Sequence, residues 1–171
     1  MSFDNMAHEA HFAAVREALE FSYAAGQIRT QADPPAIIVT LLPGVDLDQR
    51  LCDDEGIQKA EVIVYVVGRH DDDANLRVTI PLIKNVAVTK LDDHTLRYML
   101  AWPNNGTSYV SFGLADRNGV YDLLLHYDLL ASVCDRNVLF DVIWIATHRI
   151  GETVGGLAAA TGGEYYFAGT T

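Results

Sequence analysis

The sequence has few cysteines and few positive charges. Its two cysteines, Cys52 and Cys134, belong to no CxxC pair, which excludes a disulfide scaffold and a zinc ribbon and favours a reducing, cytoplasmic location. Only 12 lysines and arginines stand against 23 aspartates and glutamates, which gives a net charge of −11 at pH 7. This excess of negative charge disfavours binding to phosphate backbones and anionic lipids. We therefore expect neither nucleic acid nor a membrane as a partner.

Long apolar runs are missing as well. The best candidate for a membrane span, Val133 to Ile150, contains Asp135 and Asp141, and a helix in a bilayer carries such charges only at high cost. The first residues, Met1 to Asn5, lack the basic and apolar regions of a secretory signal. We expect neither a membrane span nor export.

Known motifs of catalysis and of metal or phosphate binding are also absent from the sequence. There is no GxSxG nucleophile elbow, no HExxH metal motif, and no glycine-rich loop between a strand and a helix. Cys134 precedes Asp135, whose charge is expected to raise the pKa of the thiol and oppose its reactivity. The sequence therefore indicates no catalytic residue, no metal and no cofactor.

What the sequence does contain is enough apolar material for a core. Half of the residues (50%) are hydrophobic and 20% are charged, which is typical of one globular domain. We assign this single α+β domain to residues 1–160. Residues 161–171, which include Gly162 and Gly163, are predicted to form a frayed glycine-rich tail.

Two amphipathic helices are predicted near the ends of the chain, one from about Met6 to Ala25 and a long one that begins near Asp135. In each helix, apolar residues recur at steps of three and four, which places them on one face. Ser132 and Asp135 form a capping pattern at the start of the second helix. The apolar stripes consist of Phe12, Val15, Leu19 and Tyr23 in the first helix and of Leu139, Val142, Ile143, Ala146 and Ile150 in the second.

Strands are predicted between the two helices by runs of β-branched and alternating residues. Asn118-Gly119 indicates a tight hairpin, because both positions of its turn need a positive φ. Residues 45–60 are assigned no firm structure beyond a short helical turn, and residues 90–102 are predicted to be a short helix with a strand as the alternative. The predicted strands are Ala36–Leu42, Glu61–Val67, Leu76–Leu82, Tyr109–Leu114 and Val120–Tyr127.

Hairpin connections between successive strands make the predicted sheet antiparallel. The predicted fold class is therefore α+β in two layers, with an antiparallel sheet flanked by an N-terminal helix and a long C-terminal helix.

The second helix has more apolar surface than packing on one sheet requires. Phe140 and Trp144 lie four residues apart, outside its apolar stripe. One interpretation is additional burial under the N-terminal helix, which we favour modestly. The other is an interface with a second copy or with another protein, since large aromatic side chains dominate the buried centres of interfaces.

A resemblance to known proteins rests on the order of elements between residues 76 and 158. Its parts are the run Leu91–Trp102, Asn104-Asn105-Gly106, the strand Tyr109–Ala115, the turn Arg117-Asn118-Gly119, the segment Leu123–Leu129 and the helix from Val133. In this order the chain resembles the YbjN-like family and, more distantly, the class I type III secretion chaperones. These families have no catalytic residues to carry over. The resemblance implies a two-layer α+β fold, a homodimer, and a role in regulation or in holding a segment of another protein.

Three hypotheses about function follow. The first is a non-enzymatic protein-binding module, chaperone-like or regulatory, with Phe140 and Trp144 at its interface. The second is a small-molecule or peptide-binding protein or an enzyme whose polar groups meet only in the folded chain; its conceivable members are Asp53, Asp54, His94 and His126. The third is an acidic surface that mimics nucleic acid and binds a basic protein.

Overall fold

A computed structural model of the chain describes residues 3–70, 73–92, 110–131 and 134–168. Within these residues, strands contain slightly more residues than α-helices, and the helices comprise two of at least 20 residues and one short one. The helices are α1 (Phe3–Ser22), α2 (Gln49–Glu55) and α3 (Arg136–Thr161), with 3₁₀ turns at Ala25–Gln27 and Val88–Lys90. The strands are β1 (Ile28–Ala32), β2 (Pro35–Leu41), β3 (Ala60–His70), β4 (Asp73–Val86), β5 (Val110–Arg117), β6 (Val120–Leu130) and β7 (Glu164–Tyr165).

All seven strands belong to one antiparallel sheet. Its order is β1-β2-β3-β4-β6-β5, and β7 pairs with β4. Strands β1–β2, β3–β4 and β5–β6 form hairpins, and β2 is joined to β3 through α2. The pairs β4–β6 and β4–β7 join strands that are not consecutive. The prediction of an α+β fold with an antiparallel sheet is confirmed, and the sheet is the dominant part of the fold.

Helices α1 and α3 lie on the same face of the sheet and contact each other. Side chains alternate between the two faces along each strand, so Val62 and Val64 of β3 point into the core while Ile63 and Tyr65 point to the opposite face. Burial of apolar side chains between the sheet and these helices is the main source of stability. The stripes predicted for the two helices are confirmed by the burial of Val15, Leu19, Tyr23, Leu139, Ile143, Ala146 and Ile150.

The start of α3 is fixed by Asp135. Its carboxylate accepts hydrogen bonds from the backbone N–H groups of Asn137 (2.8 Å) and Val138 (2.9 Å), which otherwise have no partner at a helix N-terminus. Asp135 therefore acts as the N-cap, as its position in the capping pattern indicates. Ser132, the other member of that pattern, lies outside the described residues.

The hairpin predicted around Asn118-Gly119 is confirmed. Asn118 and Gly119 both have positive φ, 58° and 87°, as this two-residue turn requires. The carboxylate of Asp116 accepts a hydrogen bond of 2.7 Å from the backbone N–H of Gly119 and stabilises the turn. Strands β5 and β6 pair throughout, from Arg117↔Val120 at the turn to Val110↔Tyr127.

Strand β1 was missing from the prediction. Its sequence, Ile28 to Ala32, is mostly polar, and four of its five side chains are half-buried or exposed polar or small groups, so periodicity gave little signal at this edge of the sheet. Pro34 does not lead into the first strand but lies in the turn that joins β1 to β2, after a cis peptide bond with Asp33.

Part of the polar segment 45–60 also has a defined structure. The helical turn expected near residues 47–52 is present as α2, which begins two residues later. Cys52 lies in this helix, and its side chain is buried. The helix or strand predicted over residues 90–102 lies for the most part outside the described residues, as does His94.

The prediction of a frayed tail after α3 was wrong as far as residue 168. Helix α3 ends at Gly162, which has a φ of 68°, and the chain then forms β7 beside Ile83 and Lys84 of β4. Tyr165 and Phe167 are buried, and the hydroxyl of Tyr165 donates a 2.7 Å hydrogen bond to the carbonyl of Lys59. Strand β7 lies beside the last part of β4, on the side where β3 has not yet begun. The burial of its apolar side chains stabilises the tail by more than the flexibility of the glycines destabilises it.

Candidate functional site

A concave surface lies where the end of α1, the end of β2 and the middle of α3 meet. We call it the α1–α3 cleft. Its volume is about 430 Å³, and it continues into a neighbouring space of about 300 Å³ beside α2. We call the first space the aromatic part and the second the acidic part. The aromatic part is lined by Ser22, Tyr23, Leu41, Val45, Asp46, Leu47, Asp48, Phe140, Trp144, Thr147 and His148.

One wall of the cleft is the loop between β2 and α2, and this loop is held by its own hydrogen bonds. The carbonyl of Leu42 accepts bonds from the backbone N–H groups of the three residues 45–47. The carboxylate of Asp46 accepts bonds from the N–H of Leu42 (3.0 Å) and from the side-chain amide of Gln27 (2.7 Å). Gly44 has a φ of 72°, which other residues adopt only with strain. The wall is therefore preorganised.

The opposite wall is aromatic. The rings of Tyr23 and Phe140 have centroids 6.4 Å apart and are tilted by 36°. Burial, together with the carboxylate of Asp46, raises the pKa of Tyr23 to about 12, so this hydroxyl stays protonated at neutral pH. One turn further along α3, the ring of His148 stacks on Trp144 at a centroid distance of 4.0 Å.

Phe140 and Trp144 are more exposed than burial under α1 would leave them. Phe140 is 42% exposed and Trp144 is 51% exposed, so the favoured interpretation, in which α1 covers both residues, was wrong. The reason is that their faces of α3 point past the end of α1 towards the loop between β2 and α2. Exposed apolar side chains are also present on the two neighbouring elements: Phe21 on α1, Leu42 and Val45 on the loop.

Three of these exposed side chains line the cleft and form its apolar patch, and Phe21 and Leu42 lie on the elements beside it. Val45 is 75% exposed and lines the cleft with Phe140 and Trp144. Phe21 is 72% exposed, and the guanidinium of Arg136 lies over its ring at 4.3 Å, one helical turn before Phe140. Of the eight large apolar side chains described as exposed, five lie here and three lie on β5 and β6. Exposed apolar groups concentrated at one place indicate a binding surface, whereas scattered ones do not.

The acidic part of the cleft is built by the loop, α2 and α3. It is lined by Asp46, Leu47, Asp48, Arg50, Asp54, Thr147 and His148. Asp54 was one of the residues considered for a site assembled in three dimensions, and it does lie in the cleft. Its neighbour Asp53 does not line the cleft and accepts a 2.7 Å hydrogen bond from the side chain of Gln49.

His126, the other described candidate for such a site, lies on the opposite face of the sheet. Its Nδ1 is 2.9 Å from the hydroxyl of Thr79, and its ring lies against Gly113, where an added Cβ would be 2.6 Å from Nε2. Burial and the nearby guanidinium of Arg77 lower the pKa of His126. The sheet therefore separates His126 from Asp54, and the two cannot act on one ligand.

Cysteine chemistry does not contribute to the cleft. Burial, followed by the charge of Asp135, raises the pKa of Cys134 to about 11, so its thiol is protonated at neutral pH. Cys52 is buried, and burial is also the main cause that raises its pKa. Within the described ranges, no group of three or more His, Cys, Asp or Glu side chains is arranged to hold a metal ion.

Comparison of the chain with family models, curated proteins and solved structures gives no match. None of the helices in the described part of the chain is long and apolar enough to cross a bilayer.

Proposed function

We propose that this protein is a non-enzymatic protein-binding module, chaperone-like or regulatory, that works in the cytoplasm and holds a segment of a partner protein in the α1–α3 cleft. The role is the one implied by the resemblance to YbjN-like proteins and secretion chaperones. The observation that supports it is the apolar patch, in which Phe140, Trp144 and Val45 surround a concave surface. A side chain of the partner that fills this space would bury apolar area on both sides, which is the usual centre of an interface.

The cleft is prepared for binding before a partner arrives. Its loop is fixed by the hydrogen bonds of Asp46 and by the turn at Gly44, and Trp144 is held against His148. A surface that is already ordered loses little conformational entropy on binding, which favours affinity.

A small-molecule site is the alternative. The volume of the aromatic part, about 430 Å³, lies within the range usual for ligand pockets. Against it stands the exposure of the cleft walls, since Phe140 and Trp144 keep about half of their surface in water. Pockets for small ligands normally enclose most of the ligand.

The resemblance adds a homodimer to the proposal, and we assign it to the edge strand β5. Among the described residues, β5 pairs only with β6, and unpaired strand edges readily pair with another chain. Leu114 on this strand is exposed. Light scattering after size exclusion, compared between wild type and a variant with Leu114→Pro, tests this part: a dimer that becomes a folded monomer is expected, and a wild type that is monomeric at all concentrations contradicts it.

The binding function is tested by capture of partners from the native extract, at low and high salt, followed by mass spectrometry. We expect a recurrent protein that survives high salt, is lost with Phe140→Ala/Trp144→Ala, and is kept with the matched control Val120→Ala/Leu130→Ala, which alters two exposed apolar side chains of β6. The proposal is wrong if the same proteins are captured with and without the two aromatic side chains. A small molecule that copurifies with wild type, seen by native mass spectrometry and absent from the aromatic variant, supports the alternative instead.

A further inference from the structure

The acidic part of the cleft carries more negative than positive charge. Its described lining contains the carboxylates of Asp46, Asp48 and Asp54 and, among described side chains, one guanidinium, that of Arg50. Asp46 serves the loop through its hydrogen bonds with Leu42 and Gln27. Asp54 differs from it, because in the described part of the chain Asp54 takes part in no side-chain hydrogen bond and no ion pair.

The position of Asp54 in α2 does not stabilise the helix. It lies in the last turn of Gln49–Glu55, and no basic residue is present in that turn. Helix C-termini carry a partial negative charge, so a carboxylate there is unfavourable. The stability of α2 therefore does not account for a carboxylate at this position beside the cleft.

The two parts of the cleft are continuous. The side chains of Leu47, Thr147 and His148 line both of them. A residue bound against Phe140 and Trp144 therefore has a neighbour that reaches Asp48 and Asp54. Aromatic faces and carboxylates both attract cations, and this combination suits a lysine or arginine with its long apolar stem.

On the basis of the proposed function, we infer that the partner segment is basic, with a lysine or arginine next to its apolar anchor. The anchor fills the aromatic part of the cleft, and the cationic group binds between Asp48 and Asp54 in the acidic part. A second copy of this chain offers few such segments, since it has 12 lysines and arginines against 23 aspartates and glutamates. The homodimer proposed through β5 leaves the cleft free for this segment.

Two peptides test the inference by fluorescence anisotropy with the full chain. One is a labelled 12-residue peptide of leucine and lysine, and the other has glutamine in place of every lysine. The variant Asp48→Asn/Asp54→Asn removes both charges and keeps the shape of both side chains. Its control, Glu9→Gln/Asp33→Asn, removes two exposed carboxylates elsewhere on the chain.

We expect the leucine–lysine peptide to bind more tightly than the leucine–glutamine peptide. Asp48→Asn/Asp54→Asn should weaken the binding of the lysine peptide by at least about fivefold at physiological ionic strength, and the control by less than about twofold. The midpoint of urea unfolding should not fall in the Asp48→Asn/Asp54→Asn variant. Equal losses in the two variants, or no binding of the lysine peptide, would overturn the inference.

The same peptides separate this inference from the proposed function. If Phe140→Ala/Trp144→Ala abolishes binding of both peptides while Asp48→Asn/Asp54→Asn changes neither, the basic character of the partner is wrong and the cleft function stands. If neither variant changes binding of the peptides or capture of native partners, both proposals are wrong.

Discussion

Trp144 and His148 stack on the surface of α3, with ring centroids 4.0 Å apart and planes tilted by 41°. The Nδ1 of His148 also lies 3.1 Å from the carbonyl of Trp144. The contact with the carbonyl positions the imidazole, and the imidazole packs against the indole one turn earlier, although half of the surface of Trp144 is in water. The exposed tryptophan of the cleft is thus an ordered part of the surface.

A first prediction separates an interface from a core. Trp144→Ala should lower the free energy of unfolding by less than about 1 kcal/mol, because the side chain is 51% exposed. Ile143→Ala, at the next position of the same helix, removes a fully buried side chain and should cost about 3–4 kcal/mol. Urea unfolding measures both. Equal losses for the two substitutions would show that Trp144 belongs to the core, and the interface proposal would lose its basis.

A second prediction concerns the opposite face of the sheet. Gly113→Ala places a Cβ 2.6 Å from Nε2 of His126, and the ring cannot move away without breaking its hydrogen bond to Thr79. We expect a loss of about 1–3 kcal/mol in the free energy of unfolding. In the presence of His126→Ala the same substitution should cost less than about 1 kcal/mol. Gly26→Ala, which meets no atom within 4 Å, is the matched control.

A third prediction follows from the buried tail. Phe167 and Tyr165 are both buried, and their rings meet edge to face at 6.0 Å. Phe167→Ala should therefore lower the free energy of unfolding by about 3–4 kcal/mol. A frayed tail predicts no change, so thermal or urea unfolding of this single variant decides between the two descriptions.

A fourth prediction uses the raised pKa of Cys134, which is about 11. Only the thiolate reacts with iodoacetamide, and at pH 8 its fraction should be about 90-fold lower than for a free cysteine with a pKa of 9.0. We expect alkylation of folded protein to be slow at pH 8 and to accelerate about tenfold for each pH unit up to pH 10. Protein unfolded in urea is the control and should react rapidly.

The same shift predicts how stability changes with pH. The folded state holds the thiol proton more tightly than the unfolded state, whose cysteine has its ordinary pKa near 9.0. Its contribution to stability is therefore complete below pH 9 and is lost as the pH rises towards 11. Cys134→Ser should make the free energy of unfolding less dependent on pH in this interval, and an unchanged slope between wild type and variant would contradict the assignment.

Much of the fold could be predicted from local patterns. The two helix stripes, the strand at Glu61–Val67 and the Asn118-Gly119 hairpin each depend on residues close in sequence, and each is present. Strand β1 could not be predicted because its residues are mostly polar and lie at the exposed edge of the sheet, and the β7 tail could not because its strand character comes from pairing with distant residues. β7 shows this most clearly, since Tyr165 pairs with Ile83, more than 80 positions earlier in the chain.

The residues of the candidate site could also be predicted from the sequence only in part. Phe140 and Trp144 were identified from an apolar excess on one helix, and spacing alone could have added His148, which lies four residues after Trp144. Tyr23, Asp46 and Asp48 could not be found from sequence, because they reach the cleft from other elements. Grouping His126 with Asp54 was wrong for a related reason: spacing does not say which face of a sheet a residue occupies.

The central claim is that the cleft holds a segment of another protein, and a photo-cross-linker at its centre tests this most directly. We would replace Trp144 with p-benzoylphenylalanine in the full chain, irradiate it in its native extract, and map cross-links by mass spectrometry. Val120, exposed at the turn of the β5–β6 hairpin, is the control position for the same replacement. The account predicts one recurrent polypeptide, joined to position 144 through a basic segment and absent from position 120. Cross-links that are absent at position 144, or the same at both positions, would contradict it.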